Sequence, residues 1–177
     1  MKKKYVKDVE DELLDLVDAE GSVIGTIMRS QVNKQTAAYI RCVIAIISDH
    51  QGKLLVAPRA LHKKWMPGAL SFVGGCVRSG ETYEQALKRE LDEELTLDVS
   101  IHNYSFLCEF SPQADLFGAY TGVFRVKLQA DPEIIYNEDD FLDVNWLYPE
   151  QIYDKLKNGT EACKAFPVLL NHFFPRP

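Results

Sequence analysis

Three glutamates carry the strongest chemical signal in the chain. Residues 82–95 read as a helix, opened by Thr82 with Gln85 three residues later in a capping-box pattern. At about 100° per residue, with Tyr83 at zero, Leu87 falls near 40° and Ala86 near 300°, a stripe that faces a core. Glu84, Gln85, Lys88 and Asp92 fall at roughly 100–200°, the solvated side. Glu90, Glu93 and Glu94 fall at about 340°, 280° and 20°, so they continue the azimuth of the apolar stripe. Acids at i, i+3 and i+4 are neighbours on one helix face. Pointed inward they repel one another, and each gains a raised pKa unless a cation joins them. A hard divalent cation with oxygen ligands resolves that conflict, and Mg²⁺ suits a site where phosphates add ligands. Arg89, at about 240°, can pair with an acid at the rim. The competing reading, ordinary charges on a solvated helix face, is what most charge runs mean; the wheel argues against it here.

The residues before the helix sharpen the signal. Gly74-Gly75 weakens a strand and permits close backbone approach. Counting from Gly75, five residues lead to Glu81, and seven more lead to Arg89-Glu90-Leu91-Asp92-Glu93-Glu94. The segment GCVRSGETYEQALKRELDEELTL, residues 75–97, resembles the box of the Nudix hydrolase superfamily, G-x5-E-x7-R-E-U-x-E-E-x-G-U with U a bulky aliphatic. One fixed position departs from it: Thr96 stands where the family has Gly, with Leu97 as the closing aliphatic. That Gly ends the helix in a left-handed conformation that Thr adopts poorly, so a slightly altered helix end is expected. The stretches LLVAPRA (54–60), Pro67-Gly68 and SFVGGCV (71–77) are similar to the family's lead-in, and residues 143–152 to its closing strand and helix. With a hairpin at 12–28, the layout resembles the branch near isopentenyl-diphosphate isomerase.

The resemblance implies a hydrolase that cleaves a nucleoside diphosphate linked to another moiety. It implies Mg²⁺ or Mn²⁺ on Glu90, Glu93, Glu94 and the Gly75 carbonyl, with Arg89 orienting carboxylates through Glu81. The proton acceptor is one of the glutamates or a loop acid among Glu138, Asp139 and Asp140. Arg59, Lys63 and Lys64 are candidates for phosphate contact, against plain surface charge. Trp65, Phe117 and Tyr120 are candidates for stacking on a base, against core packing. Two alternatives compete. An isomerase of that branch carries a Cys and a His where this chain has Gly74 and Cys76; Cys76 is two residues from the catalytic position, about 6–7 Å along a strand. A non-catalytic binding or regulatory domain of the same fold usually loses box acids that are all present here.

The elements that must position these groups follow from pattern. Residues 12–28 alternate around Glu20-Gly21-Ser22 and read as a β-hairpin. Residues 39–48 form a near-continuous β-branched run, a buried strand, and 53–57 pairs back on it. Further strands are expected at 70–77, 99–110, 117–128 and 142–148, with helices at 149–157 and 161–173. Helices interrupt the strands rarely, so the expected class is α/β (α+β): a mixed β-sheet sandwiched between helices, in one domain spanning 1–177.

Composition closes off other classes. The chain has 177 residues and a formal charge of −6. Residues 81–94 hold six acids and two bases, so only −2 is left for the rest. The acidity points to metal rather than to a macromolecular partner, and no basic face for a nucleic-acid polymer is expected. Cys42, Cys76, Cys108 and Cys163 form no CxxC pair and read as reduced thiols. His50, His62, His102 and His172 show no ligand spacing. No secretory signal or membrane span is recognisable, which implies a cytoplasmic protein, monomer or homodimer, acting on a small diphosphate substrate.

Overall fold

The computed structural model describes residues 11–112, 118–129 and 133–176. The hairpin forms as β1 (Leu13–Val17) and β2 (Val23–Met28), an antiparallel pair with its own small sheet. Asp18 builds its turn: the carboxylate accepts from the Glu20 and Ser22 amides, and Gly21 takes positive φ.

The main sheet is organised around β3 (Arg41–Ser48). Its run of apolar residues is continuous because both faces are covered. Val43, Ala45 and Ile47 pack with Leu87, Leu91 and Leu95 of α1 (Tyr83–Leu95). Ile46 faces the other way, toward Ile152 of α2 (Pro149–Lys157) and Phe166, Leu169 and Leu170 of α3 (Ala165–Phe173). The expected sandwich of a mixed sheet between helices is therefore present. β3 runs parallel to β8 (Tyr120–Lys127), which pairs antiparallel with β7 (Asn103–Phe110). On its other side β3 meets two partners in succession: β6 (Val73–Cys76) along Cys42–Ala45, and β4 (Leu54–Pro58) at Ser48. β4 in turn pairs with β5 (Leu70–Ser71) and β9 (Asn145–Leu147). Among the described residues no helix is long and apolar enough to cross a membrane.

Several boundaries differ from the pattern reading, each for a physical reason. The strand expected at 70–77 divides at Phe72, whose ring packs at a tilt against that of Phe166, centroids 4.5 Å apart. The chain thereby leaves β4 and joins β3. Gly74 makes that switch possible: it sits at φ +150°, and a Cβ there would lie 2.0 Å from the Val43 carbonyl oxygen. Helix α3 starts at Ala165 rather than 161 because Glu161 and Cys163 hydrogen-bond to Leu70, extending the sheet edge first. The strand at 99–110 begins only at Asn103, since Asp98 caps a 3₁₀ turn over Val99–Ile101.

The end of α1 corrects one expectation. Thr96 takes the left-handed conformation itself, φ 51° and ψ 39°. Its N–H bonds to the Asp92 carbonyl and the Leu97 N–H reaches back to Leu91 O at 3.1 Å, so the glycine-type ending is kept intact. The cost is strain, about 1–2 kcal/mol for a β-substituted residue in this region. Thr96→Gly relieves it and adds backbone freedom to the unfolded chain, for an expected net gain of ~0.5–1 kcal/mol. Thermal denaturation checks this: a midpoint that does not rise would show the strain is absent.

Candidate active site

Helix α1 buries Ala86, Leu87, Glu90, Leu91 and Leu95, and Thr82 and Gln85 close its capping box as expected. Glu90 is buried, Glu93 and Glu94 are half-buried, and Glu84 and Asp92 are exposed. The acids therefore point where the wheel put them. Arg89 ties them to the strand beneath. Its Nε and Nη2 close a two-toothed pair on Glu81, both at 2.8 Å. Nη1 donates to Glu90 at 2.6 Å and to Glu93 at 3.4 Å, and Nη2 also donates to the Cys76 carbonyl at 2.8 Å. Glu81 further accepts from the Arg78 amide at 2.9 Å. Gly75 lies directly under Glu90; a Cβ there would be 2.3 Å from Glu90 Oε1, so only glycine leaves room for the carboxylate.

The electrostatics separate the acids into two kinds. Burial works to raise Glu81, but the Arg89 and Arg78 hydrogen bonds win and hold it below the usual glutamate value. Glu90 goes the other way: burial raises it more than Arg89 lowers it. Glu94 is pushed well above the usual range by burial and by the charges of Glu90 and Asp140, against the Gly74 amide and Lys63. Among the described residues no three acid, histidine or cysteine groups stand together as a finished metal cage. Oxygens of Glu90 and Glu93 are turned to Arg89 and Arg78 instead. The donor set nevertheless fits a hard divalent ion. It is all oxygen, it is crowded on one face, and the two raised carboxylates gain most from a cation.

Comparison with known proteins now decides the family. The NUDIX domain family model matches residues 38–166. The chain belongs to the Nudix hydrolase superfamily. It is 36% identical over 164 residues to an uncharacterized Nudix hydrolase of Nostoc sp. PCC 7120, covering 92% of this chain and 96% of that one. It is 35% identical to a Nudix hydrolase of Deinococcus radiodurans, covering 89% and 90%. The crystal structure of DR0079 from Deinococcus radiodurans superposes with a TM-score of 0.83 at 31% identity, over 92% of this chain and 99% of that chain. A Shewanella oneidensis NrtR NUDIX domain, complexed with ADP ribose, shares the fold at TM-score 0.58 and 19% identity, over 75% and 84%. The relatives found by sequence similarity carry the name Nudix hydrolase, and Nudix hydrolases as a class act on acid anhydrides such as linked nucleoside diphosphates.

Other residues singled out from this Nudix sequence scatter. Lys63 is ion-paired with Asp140, and both lie close enough to Glu94 to act on its charge. Asp140 thus stands near Glu94, while Glu138 and Asp139 are exposed. Arg59 spends its Nε on the Trp65 carbonyl at 3.0 Å. Lys64 lies over the Trp65 ring at 5.5 Å, and that ring is 51% exposed. Tyr120 heads β8 with its amide on Ile40 O, and among the described residues no contact ties its ring to the carboxylates. Phe117 lies outside the described residues.

Pattern reading missed the contribution of the hairpin. Ser79 N–H donates to Leu13 O at 2.8 Å, sewing β1 to the box loop. Asp15, buried, accepts from Ser79 Oγ, the Gly80 amide and Arg41. Glu12 binds Arg29 and takes two Arg78 nitrogens, while Arg78 also reaches Glu93 at 3.3 Å. An aspartate inside the apolar run LLDLV was the available clue.

The shifts set a pH dependence for the metal-free protein. Glu12, Asp15 and Glu81 are depressed by their partners against the opposing pull of burial, so they stabilise above their unfolded values and lose this as pH falls through the folded ones. Glu90 and Glu94 are raised, so the folded state binds more protons from their unfolded value of 4.5 up to their folded ones, and stability falls as pH rises there. Maximal stability is expected at mildly acidic pH. Glu94→Gln keeps an oxygen for the Gly74 amide; it should raise the metal-free thermal midpoint at neutral pH and flatten the slope above 4.5. An unchanged slope would mean Glu94 ionises like an ordinary surface acid.

Proposed function

We propose that this Nudix hydrolase cleaves the diphosphate linkage of a nucleoside diphosphate joined to another moiety, with Mg²⁺ or Mn²⁺ as cofactor. The observation that carries the reading is the buried Glu90 and the half-buried Glu94, held inward on one helix face although burial raises both. Folding at such a cost makes sense where a divalent cation and a charged substrate repay it. Glu90, Glu93, Glu94 and the Gly75 carbonyl would hold the ion, which neutralises diphosphate charge and acidifies a water.

The remaining steps belong to the chain. Arg89 fixes Glu90 and, through its pair with Glu81, locks the box loop against α1. Hydrolysis adds water across the P–O–P link, so a base must take one proton. Asp140, ion-paired with Lys63, and the box glutamates are the candidates for it. Lys63, beside Asp140, and its chain neighbour Lys64 would supply cations that favour an incoming phosphate. The exposed Trp65 offers an aromatic face for a base; Arg59 supports that loop through the Trp65 carbonyl. This reading takes 1–177 as one catalytic domain for a small cytoplasmic substrate, with no nucleic-acid polymer and no membrane as partner.

The isomerase alternative finds no support in the position of Cys76. Strand side chains alternate, and the neighbouring Gly75 faces Glu90, so the Cys76 thiol faces the other side. There it packs with Leu14, Ile40 and Ala119.

A panel of ADP-ribose, NADH, nucleoside triphosphates, coenzyme A, nucleotide sugars and isopentenyl diphosphate, assayed for phosphate-ended products, tests the reaction and its substrate. Isomerisation without hydrolysis, or binding without either, would overturn it. With the preferred compound, chelation should abolish turnover and added Mg²⁺ or Mn²⁺ restore it. Glu93→Gln should lower kcat by roughly 10²–10⁴-fold with an unchanged fold. A wild-type rate at saturating Mg²⁺ would remove Glu93 from the ion. Trp65→Ala should raise KM about tenfold and leave kcat nearly unchanged if the ring stacks on substrate.

A further inference from the structure

Two of the four cysteines stand opposite each other in the sheet. Cys42 of β3 and Cys76 of β6 are direct partners in an antiparallel register. The Val77 N–H bonds to the Arg41 carbonyl at 2.9 Å, which makes Arg41 and Val77 the hydrogen-bonded pair and Cys42 and Cys76 the non-hydrogen-bonded one. In that kind of pair the Cα atoms are about 4.5 Å apart and the side chains approach most closely. The usual disulfide range begins at about 4.4 Å. The two thiols interact directly, both residues are free and half-buried, and both pack beneath the hairpin with Leu14, Ile40 and Ala119. Cys108 and Cys163 belong elsewhere, to the cluster on the α2–α3 face.

We propose that Cys42 and Cys76 form a dithiol modification site, which hydrogen peroxide converts into a cross-strand disulfide. The sulfur of one cysteine attacks a peroxide oxygen. The O–O bond breaks, water leaves with the thiol proton, and a sulfenic acid remains. The second sulfur then attacks the sulfenic sulfur; the S–S bond forms, the S–O bond breaks, and a second water carries off the remaining proton. Two thiols lose two electrons, and one peroxide becomes two waters. The product ties β6 to β3. Strand β6 supplies Gly75, and its Cys76 carbonyl holds Arg89, so the rung fixes the floor under the box helix.

The test uses the whole wild-type chain without metal or substrate, so its outcome is independent of the proposed hydrolysis. After mild peroxide, thiols titrated under denaturing conditions should fall from four to two. Non-reduced peptide mapping should find Cys42 joined to Cys76, with the link undone by dithiothreitol. The thermal midpoint should rise by roughly 8–15 °C, as expected for closing a loop of this length. Cys42→Ser should abolish both the link and the rise. Four remaining thiols, a Cys108–Cys163 link, or sulfinic acid at Cys76 with Cys42 still free would each overturn the proposal.

Discussion

The guanidinium of Arg89 is bound from three directions: by the carboxylate of Glu81, by Glu90 and Glu93 on its own helix, and by the carbonyl of Cys76. Everything around the site depends on this knot. It brings a helix face, a loop and a strand to one point. It also lets Glu90 stay buried, because a buried carboxylate without a cation would take a proton or unfold its surroundings. Planar, two-toothed pairing is what guanidinium offers and an ammonium cannot, so the position calls for arginine.

Two glycines set the distance at which the knot can form. Gly74 lets β6 approach β3 more closely than any side chain would permit, and Gly75 leaves the volume that the Glu90 carboxylate fills. The strand division at Phe72 serves the same end. It moves the chain from β4 to β3 just before the glycine pair, so that β6 runs under α1. Above this floor, Lys63 with Asp140 closes the side next to Glu94, and the Asn137 amide caps the Glu94 carbonyl. The far side is closed by the hairpin through Glu12, Asp15 and their arginines. The charge of the acids is thus met by cations from both flanks.

Local pattern made much of this legible. The helix, its cap and the inward azimuth of Glu90, Glu93 and Glu94 were readable because a helix has a fixed period and Thr82 with Gln85 marks its start. The hairpin, the buried strand β3 and the sandwich were readable from alternation and from an apolar run with no polar face. Thr96 was misjudged because propensity weighs one residue alone. In the fold, Asp92, Leu91 and the buried Leu97 hold the helix end and outvote the preference of one side chain.

The sequence by itself determined the family, the class of chemistry and the acids that point inward, since each rests on residue type and short-range spacing. Tertiary structure alone decided which loop acid stands near Glu94, that Arg78 and Glu12 join the box acids, and that Cys42 meets Cys76. Asp140 and Glu138 look alike in a run of three acids; the ion pair with Lys63 marks out Asp140. Glu12 is 66 residues from Arg78, and Cys42 is 34 from Cys76. Contacts between residues so far apart are set by strand order and register, which depend on the packing of the whole core and leave no local trace in the chain.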